Sequence, residues 1–482
     1  MKYENDNLLL MTDVYKVGHM EQYVPGTTKV YSYLCARSDK NFSSSVFFGL
    51  QYYIKQYLTL PILIEHVDEF LQQRQEILGN TSDTVKAKVT ALANLGYLPI
   101  EIKAVREGEV LPIKNVLMTI TNTLPEFYWV VGFVESLILK LWYPITVATQ
   151  CYEYRKVVES SFDETVDPDM FFLKEYMTHD FGYRGDTTEE GAYISGAAHL
   201  LSFQGSDTIP ALRFVRQVYN ADKNKPVMAS VPASEHSVMC SYGRDGELDA
   251  YKNMLRLYPT GIVSIVSDTY SIWNVLTNFA NILKEDILAR DGKVVFRPDS
   301  GVPELIICGD PDAPEGTPER KGCIRLLDEM FGHTVNSKGF KVLNPKVGLI
   351  YGDGMYLERY KRTLATLKEM GYAASNLVIG VGGILRNHSR DTLGFAIKAT
   401  YVEVNGEHRD IEKDPVTDPG KKSHKGLLAL HKDELGNITT KDLCSLEEEQ
   451  KGLLIPVFRD GKILVEYNFH DIRDRVLGTF NK

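Results

Sequence analysis

The chain has 482 residues, 44% of them hydrophobic and 24% charged, with a formal net charge of −10. That length suits two or three domains with a sizeable core. The acidic balance excludes a general nucleic-acid binder, which carries a basic face, but leaves room for an anionic small substrate in a local basic pocket.

The first portion reads as α+β. An apolar opening, Leu8-Leu9-Leu10-Met11, leads into Thr12-Asp13-Val14-Tyr15-Lys16, and residues 29–34 are rich in β-formers and read as a strand. Arg37 and Lys40 follow in a polar loop, helical patterns run to about residue 95, and 100–105 and 116–120 read as short strands. The most apolar segment, 127–143, carries Glu135 and Lys140 and stops at Pro144. A membrane span needs about 20 apolar residues with few charges, so this segment reads as a buried helix and no membrane partner is expected. Thr123 and Glu126 are spaced as its capping box, with Pro125 in the first turn. The N-terminus lacks the apolar region of a signal peptide. Cys35, Cys151, Cys240, Cys308, Cys323 and Cys444 form no C-x-x-C and match no zinc spacing, which reads as reduced thiols of a cytoplasmic protein.

From about residue 146 apolar runs alternate with helical stretches. The expected strands are 171–177, 227–231, 262–266, 294–296, 347–351 and 377–379. Such alternation implies parallel pairing through right-handed crossovers. It predicts an irregular (β/α) barrel over 146–391, with a doubly wound sheet as the alternative. The Pro/Gly-rich acidic stretch 308–322 reads as a surface loop. Strand alternation returns at 395–401, and the tail ends in a further α+β portion, so 1–145 and 392–482 are expected to form one α+β domain.

Polar clusters follow the expected barrel strands. They are Thr178-His179-Asp180-Phe181-Gly182-Tyr183-Arg184-Gly185, Glu235-His236, Ser267-Asp268, Arg297-Pro298-Asp299-Ser300-Gly301, Gly352-Asp353-Gly354 and Gly380-Val381-Gly382-Gly383. After the first of them, Thr187 and Glu190 are spaced as the capping box of a small-residue helix. Singly each cluster is weak, because an Asp after a strand is often only a helix cap. Together they place carboxylates, guanidinium groups and glycine turns at the ends of parallel strands, which face one cavity in a barrel. The glycine turn with Arg386 and Arg390 after it suits a phosphate. Asp299 and Asp353 suit sugar hydroxyls or a Mg²⁺ held through water, and Phe181 offers a face to a planar ring. A sugar phosphate plus an aromatic heterocycle is the ligand class these residues suggest. No Walker motif and no G-x-G-x-x-G after a first strand is present.

These motifs, with Thr12-Asp13-Val14-Tyr15-Lys16, Val231-Pro232-Ala233-Ser234-Glu235-His236-Ser237 and Lys413-Asp414-Pro415, closely resemble the nicotinamide phosphoribosyltransferase family of type II phosphoribosyltransferases, in the same order over nearly the whole chain. The resemblance implies an irregular α/β barrel joined to an α+β domain, and a homodimer with active sites built from both subunits. It implies conversion of nicotinamide and phosphoribosyl pyrophosphate to nicotinamide mononucleotide and pyrophosphate with Mg²⁺, aided by ATP through a phosphohistidine. Carried over by motif, Phe181 would stack on the pyridine ring with Tyr15 of the partner subunit on the other face, and Asp207 would accept from the carboxamide. Ser264 and Asp268 would lie near the base and its ribose, and Arg184 and Arg297 would line the base and pyrophosphate region. Asp299, Gly352 and Asp353 would hold the ribose, and Gly382, Gly383 and Arg390 the 5′-phosphate. His236, beside Glu235, would be the phosphorylated residue, while Arg37, Lys398, Lys413 and Lys421 supply positive charge. Two departures from the family are Val381, where relatives tend to have Ser, and a short loop after Arg37. The same fold also serves nicotinate phosphoribosyltransferases, and a non-catalytic nucleotide-binding protein could retain it.

Overall fold

In a computed structural model of the protein, residues 6–80, 82–418 and 421–481 are described. Two compact units emerge. One comprises Met1–Thr149, Val215–Asp222 and His388–Thr479, the other Gln150–Phe214, Lys223–Asn387 and Phe480–Lys482.

The second unit is built on a parallel sheet whose strands run in the spatial order Thr178–Asp180, Leu377–Val381, Val347–Tyr351, Asp291–Arg297 and Thr260–Val266. Their inner residues are buried, among them Val263, Ile265, Val294, Phe296, Leu349, Tyr351, Leu377 and Ile379. Burial alternates along Asp291–Arg297 and is nearly continuous toward the C-terminal ends of Thr260–Val266, Val347–Tyr351 and Leu377–Val381. Single-residue parallel bridges carry the ring onward. Asp180 pairs with Ser206 and Gly205 with Ala229 on one side, and Ala233 pairs with Ser264 on the other. The result is a curled, irregular barrel, as the strand–helix alternation predicts. The run 227–231 is not a strand. Pro226 and Pro232 bracket it, and a residue without an N–H cannot continue a ladder. The expected strand 171–177 is likewise absent: Pro168–Tyr176 is a 3₁₀ helix and only Thr178–Asp180 pairs. Pro168 opens that helix, and Phe171 packs edge-on to Phe162 beneath the Lys174 ammonium instead of alternating between faces.

Register sets what this barrel can do. Asp180 lies beside Val381, Tyr351 beside Ile379, and Val266 beside Arg297. The pairing extends past the strands, with Phe181 N–H donating to Val381 and Ser267 N–H to Arg297. Consequently the residues immediately after several strands emerge level with one another.

The first unit carries an antiparallel seven-stranded sheet in the order Glu407–Asp410, Ala396–Val404, Thr27–Cys35, Val116–Asn122, Ile100–Ala104, Ile455–Arg459 and Lys462–Ile463. Thr27–Cys35 pairs with Ala396–Val404, so the N- and C-terminal portions of the chain share one sheet.

The apolar segment 127–143 is not one helix. It breaks into Val130–Phe133, Glu135–Ile138 and a 3₁₀ turn before the long helix Trp142–Thr165, in which Pro144 occupies the first turn rather than ending anything. The expected capping box is not formed either: Leu124 is the cap residue, and the Thr123 hydroxyl donates to Asp460. The helical stretch Pro125–Thr165 is long and apolar enough to cross a membrane by composition, yet 61% of its most apolar window is buried inside the structure. In the second unit the helix Glu189–His199 is capped by Thr188, not Thr187, through Gly191 N–H. The loop after Cys308 is largely exposed, as expected for 308–322, although the helix Pro318–Phe331 takes over its last residues.

Candidate active site

The turn after Thr178–Asp180 places Phe181 against the glycine turn. A Cβ on Gly380 would stand 2.3 Å from the Phe181 ring, so only glycine admits that ring there. The Arg297 guanidinium lies 6.0 Å from the Phe181 centroid, and the His179 ring centroid lies 5.9 Å from it, tilted by 51°. Gly382 and Gly383 follow directly, and a Cβ on Gly383 would meet nothing within 4 Å, which leaves its backbone open to a ligand. Val381 is buried. Arg184 is exposed.

Arg386 does not serve as the phosphate arginine expected from its place after the glycines. Its Nε donates to Asp186 at 2.8 Å and its Nη2 to Asp180 at 2.9 Å, and its side chain is only 2% exposed.

A carboxylate cluster forms where the Thr260–Val266, Asp291–Arg297 and Val347–Tyr351 strands end. Asp268 is saturated: one oxygen accepts from Asp299 N–H at 3.0 Å, Ser300 N–H at 2.8 Å and the Ser300 hydroxyl, and the other lies 3.1 Å from His236 Nε2. Burial opposes its ionisation, but these bonds, led by the Ser300 hydroxyl, hold the carboxyl below its usual range. Asp299 is the opposite case. Burial first, then the neighbouring charges of Asp268 and Asp353, push it up, against the pull of Arg297. Arg297 Nε stands 3.5 Å from Asp299 Oδ1, too far for an aligned hydrogen bond, and both atoms are buried without a hydrogen-bond partner. A Cβ on Gly352 would lie 2.1 Å from the same Asp299 oxygen, so glycine is required beside it. The Tyr351 hydroxyl donates to Ser300 and Gly301 carbonyls and secures the turn. Asp353 is exposed at the rim, and Ser264 is buried within its strand.

Glu235 and His236 are neighbours in sequence without pairing to each other. Glu235 accepts from the Ser237 hydroxyl, whereas His236 opens the short helix His236–Cys240 and takes Asp268 as partner. Asp207 is exposed and accepts from the Ser230 hydroxyl. Just before the helix Ile209–Val218, Ser206 Oγ accepts from Thr208 N–H. Ser230 escapes the sequence reading altogether, and Ser300 and Tyr351 are named there only within a cluster and a strand, because a hydroxyl partner supplied from elsewhere in the chain has no local spacing.

The remaining expected residues lie in the first unit. Lys398 is depressed by burial and by the charges of Arg37, Lys413 and Lys16, with Glu135 opposing, so these side chains form one cationic cluster. Arg37 Nε donates to Gly394 O at 2.9 Å. Lys421 is exposed and pairs with Asp418, and Arg390 is exposed beside Asp391. Tyr15 is 62% exposed, and the adjacent Lys16 is buried on Glu135 at 3.0 Å.

Among the described residues no group of three or more His, Cys, Asp and Glu side chains could hold a metal by itself. Magnesium does not demand one: it keeps several waters and takes one or two carboxylates together with substrate phosphates. The orphaned Asp299 oxygen, with Asp353 nearby, fits such a cation.

Comparison with known proteins gives the family. Residues 176–460 match the nicotinate phosphoribosyltransferase (NAPRTase) family, and residues 7–102 match the nicotinamide phosphoribosyltransferase N-terminal domain. A nicotinamide phosphoribosyltransferase of Acinetobacter baylyi is 40% identical, with 98% of this chain and 97% of that protein aligned. One from Xanthomonas campestris pv. campestris is 38% identical over 97% of each. In fold, the chain resembles the crystal structure of human nicotinic acid phosphoribosyltransferase, with a TM-score of 0.56 at 16% identity, covering 98% of this chain and 93% of that one. Near-complete alignment with these relatives, on a barrel of the same fold, makes this chain a member of the nicotinate phosphoribosyltransferase family and, within it, of the nicotinamide phosphoribosyltransferases.

Proposed function

We propose that the protein joins nicotinamide to the phosphoribosyl group of phosphoribosyl pyrophosphate in NAD salvage. The pyridine nitrogen forms the new bond to the anomeric carbon as the bond to pyrophosphate breaks. Pyrophosphate leaves with the bonding electrons, and the product carries a pyridinium. That nitrogen bears no proton at neutral pH, so no general base is needed. Catalysis rests on holding ring and ribose in line and on stabilising the departing charge. Phe181 supplies the ring face, Asp299 and Asp353 the ribose contacts, Gly382 and Gly383 the backbone donors for the 5′-phosphate, and Arg297 positive charge beside the ring. Magnesium, when bound at Asp299, would neutralise pyrophosphate charge. The observation that carries this reading is the buried Asp299 carboxylate with an unsatisfied oxygen, set level with the Phe181 face at the strand ends.

We further infer that ATP phosphorylates His236, that Arg37, Lys398, Lys413, Lys421, Arg184 and Arg390 bind phosphate groups, that the enzyme is a cytoplasmic homodimer, and that Tyr15 of the partner subunit covers the second ring face. The exposed imidazole of His236 and the cationic cluster around Lys398 support the first two points.

Pyrophosphate release measured with nicotinamide and with nicotinate tests the reaction. Nicotinamide should be preferred, because ionised Asp207 accepts from a carboxamide NH₂ and repels a carboxylate. Losing a charge-assisted hydrogen bond of roughly 1.5–3 kcal/mol costs on the order of 10- to 150-fold. Asp207→Ser should erode the preference by that order. A parent enzyme that favours nicotinate would reverse the substrate assignment, and a variant as selective as the parent would remove Asp207 from it.

A further inference from the structure

Arg386 follows the Gly382-Gly383 turn by three residues but is withdrawn from any phosphate. Its planar fork instead joins two buried acids. Nε meets Asp186 Oδ2 at 2.8 Å, Nη2 meets Asp180 Oδ2 at 2.9 Å, and Nη1 lies 2.7 Å from Asp180 Oδ1 as an ion-pair contact. Each acid is tied in turn to a different part of the pocket. Asp180 accepts Gly182 N–H at 2.8 Å and the Thr208 hydroxyl at 2.8 Å, and Asp186 accepts the Ser195 hydroxyl at 2.8 Å. The guanidinium also lies on the backbone just after Phe181: a Cβ on Gly182 would stand 2.3 Å from Nη1 and 2.4 Å from Cζ. Alongside, the two turns touch through glycines, since a Cβ on Gly185 would lie 2.9 Å from Gly383 Cα.

From this geometry we infer that Arg386 is a positioning residue that clamps the Phe181 turn to the Gly382-Gly383 turn and, through Asp180 and Thr208, to the segment carrying Asp207. It touches no substrate. The inference rests on reading Phe181 as the nicotinamide face. Two carboxylates and one guanidinium in a dry interior are poor value as a stability device, because desolvation offsets most of the attraction. What the arrangement supplies is direction: a fork of fixed geometry addresses both acids at once, which the single ammonium of lysine cannot do. Burial opposes the ionisation of Asp180, yet the Arg386 charge holds its carboxyl below the usual range, so the clamp stays charged.

The test compares Arg386→Lys and Asp186→Ala with Phe181→Ala, measuring KM for both substrates, kcat and Tm. Misplacement of a binding group by about 1 Å can cost on the order of 100-fold. Both clamp variants should therefore raise the nicotinamide KM by at least about 10-fold at temperatures where they remain folded, with kcat falling less. Having two variants guards against one that fails to fold. If folded variants show a lowered Tm with both KM values within about two-fold of the parent, the clamp is only a staple of the fold and the inference is overturned. If Phe181→Ala leaves the nicotinamide KM unchanged, the reading of Phe181 fails and takes the inference with it.

Discussion

Asp268 and Asp299 lie in one cluster with opposite electrostatic fates. Asp268 receives donors from Ser300, the Asp299 amide and His236 and is held ionised. Asp299 is pushed up by burial and like charges and keeps an oxygen without a donor. A buried polar atom left unsatisfied costs about 1–3 kcal/mol, which a cation or a ribose hydroxyl would recover. His236 has a separate part. Its side chain is 47% exposed while its partner Asp268 is 5% exposed, so the imidazole is anchored through one nitrogen and open at the surface. His236→Ala should abolish ATP hydrolysis and the acid-labile phosphate yet retain slow mononucleotide synthesis, because the pyridine nitrogen needs no base. Full ATP stimulation in that variant, followed by pyrophosphate release, would remove His236 from the coupling.

Among the elements, the apolar parts of four barrel strands, 262–266, 294–296, 347–351 and 377–379, were legible because short apolar runs between turn residues alternate there with longer helical stretches, whereas the polar ends of Thr260–Val266 and Asp291–Arg297 were not. The 3₁₀ helix at Pro168–Tyr176 was not, because a four-residue apolar run cannot by itself declare whether its side chains alternate. A buried acid organises another element, in the first unit. Glu107 accepts from the N–H groups of Gly49 and Gln51 at the start of the Leu50–Tyr53 helix. Burial raises its pKa from the ordinary 4.5 to about 6, despite those bonds. A carboxyl whose folded pKa is raised adds stability below its unfolded pKa and loses it as pH rises through the folded value. That shift corresponds to about 2 kcal/mol. In denaturant unfolding, the stability of the parent relative to Glu107→Gln should therefore fall by about 2 kcal/mol as pH rises from below 4.5 to above 6. A difference independent of pH would show that Glu107 does not titrate in this window.

For the whole molecule, the proposed shared site makes complementation the decisive assay. Chains carrying Phe181→Ala and chains carrying Tyr15→Ala should each be weakly active as homodimers. Mixed under subunit exchange, they should regain activity, because one of the two sites in a heterodimer combines an intact Phe181 with an intact Tyr15. Exchange confirmed without recovery would exclude a site completed by the partner. The sequence by itself determined the family, the fold class and the polar residues that follow the barrel strands, because apolar runs, glycine turns and motif order are local properties of the chain. Only the tertiary structure decided which groups satisfy one another. Asp180 takes Arg386, 206 residues away, rather than nearby Arg184, and His236 takes Asp268 rather than adjacent Glu235. Partnership in a buried site follows from register and desolvation, and neither is encoded in the spacing of residues along the chain.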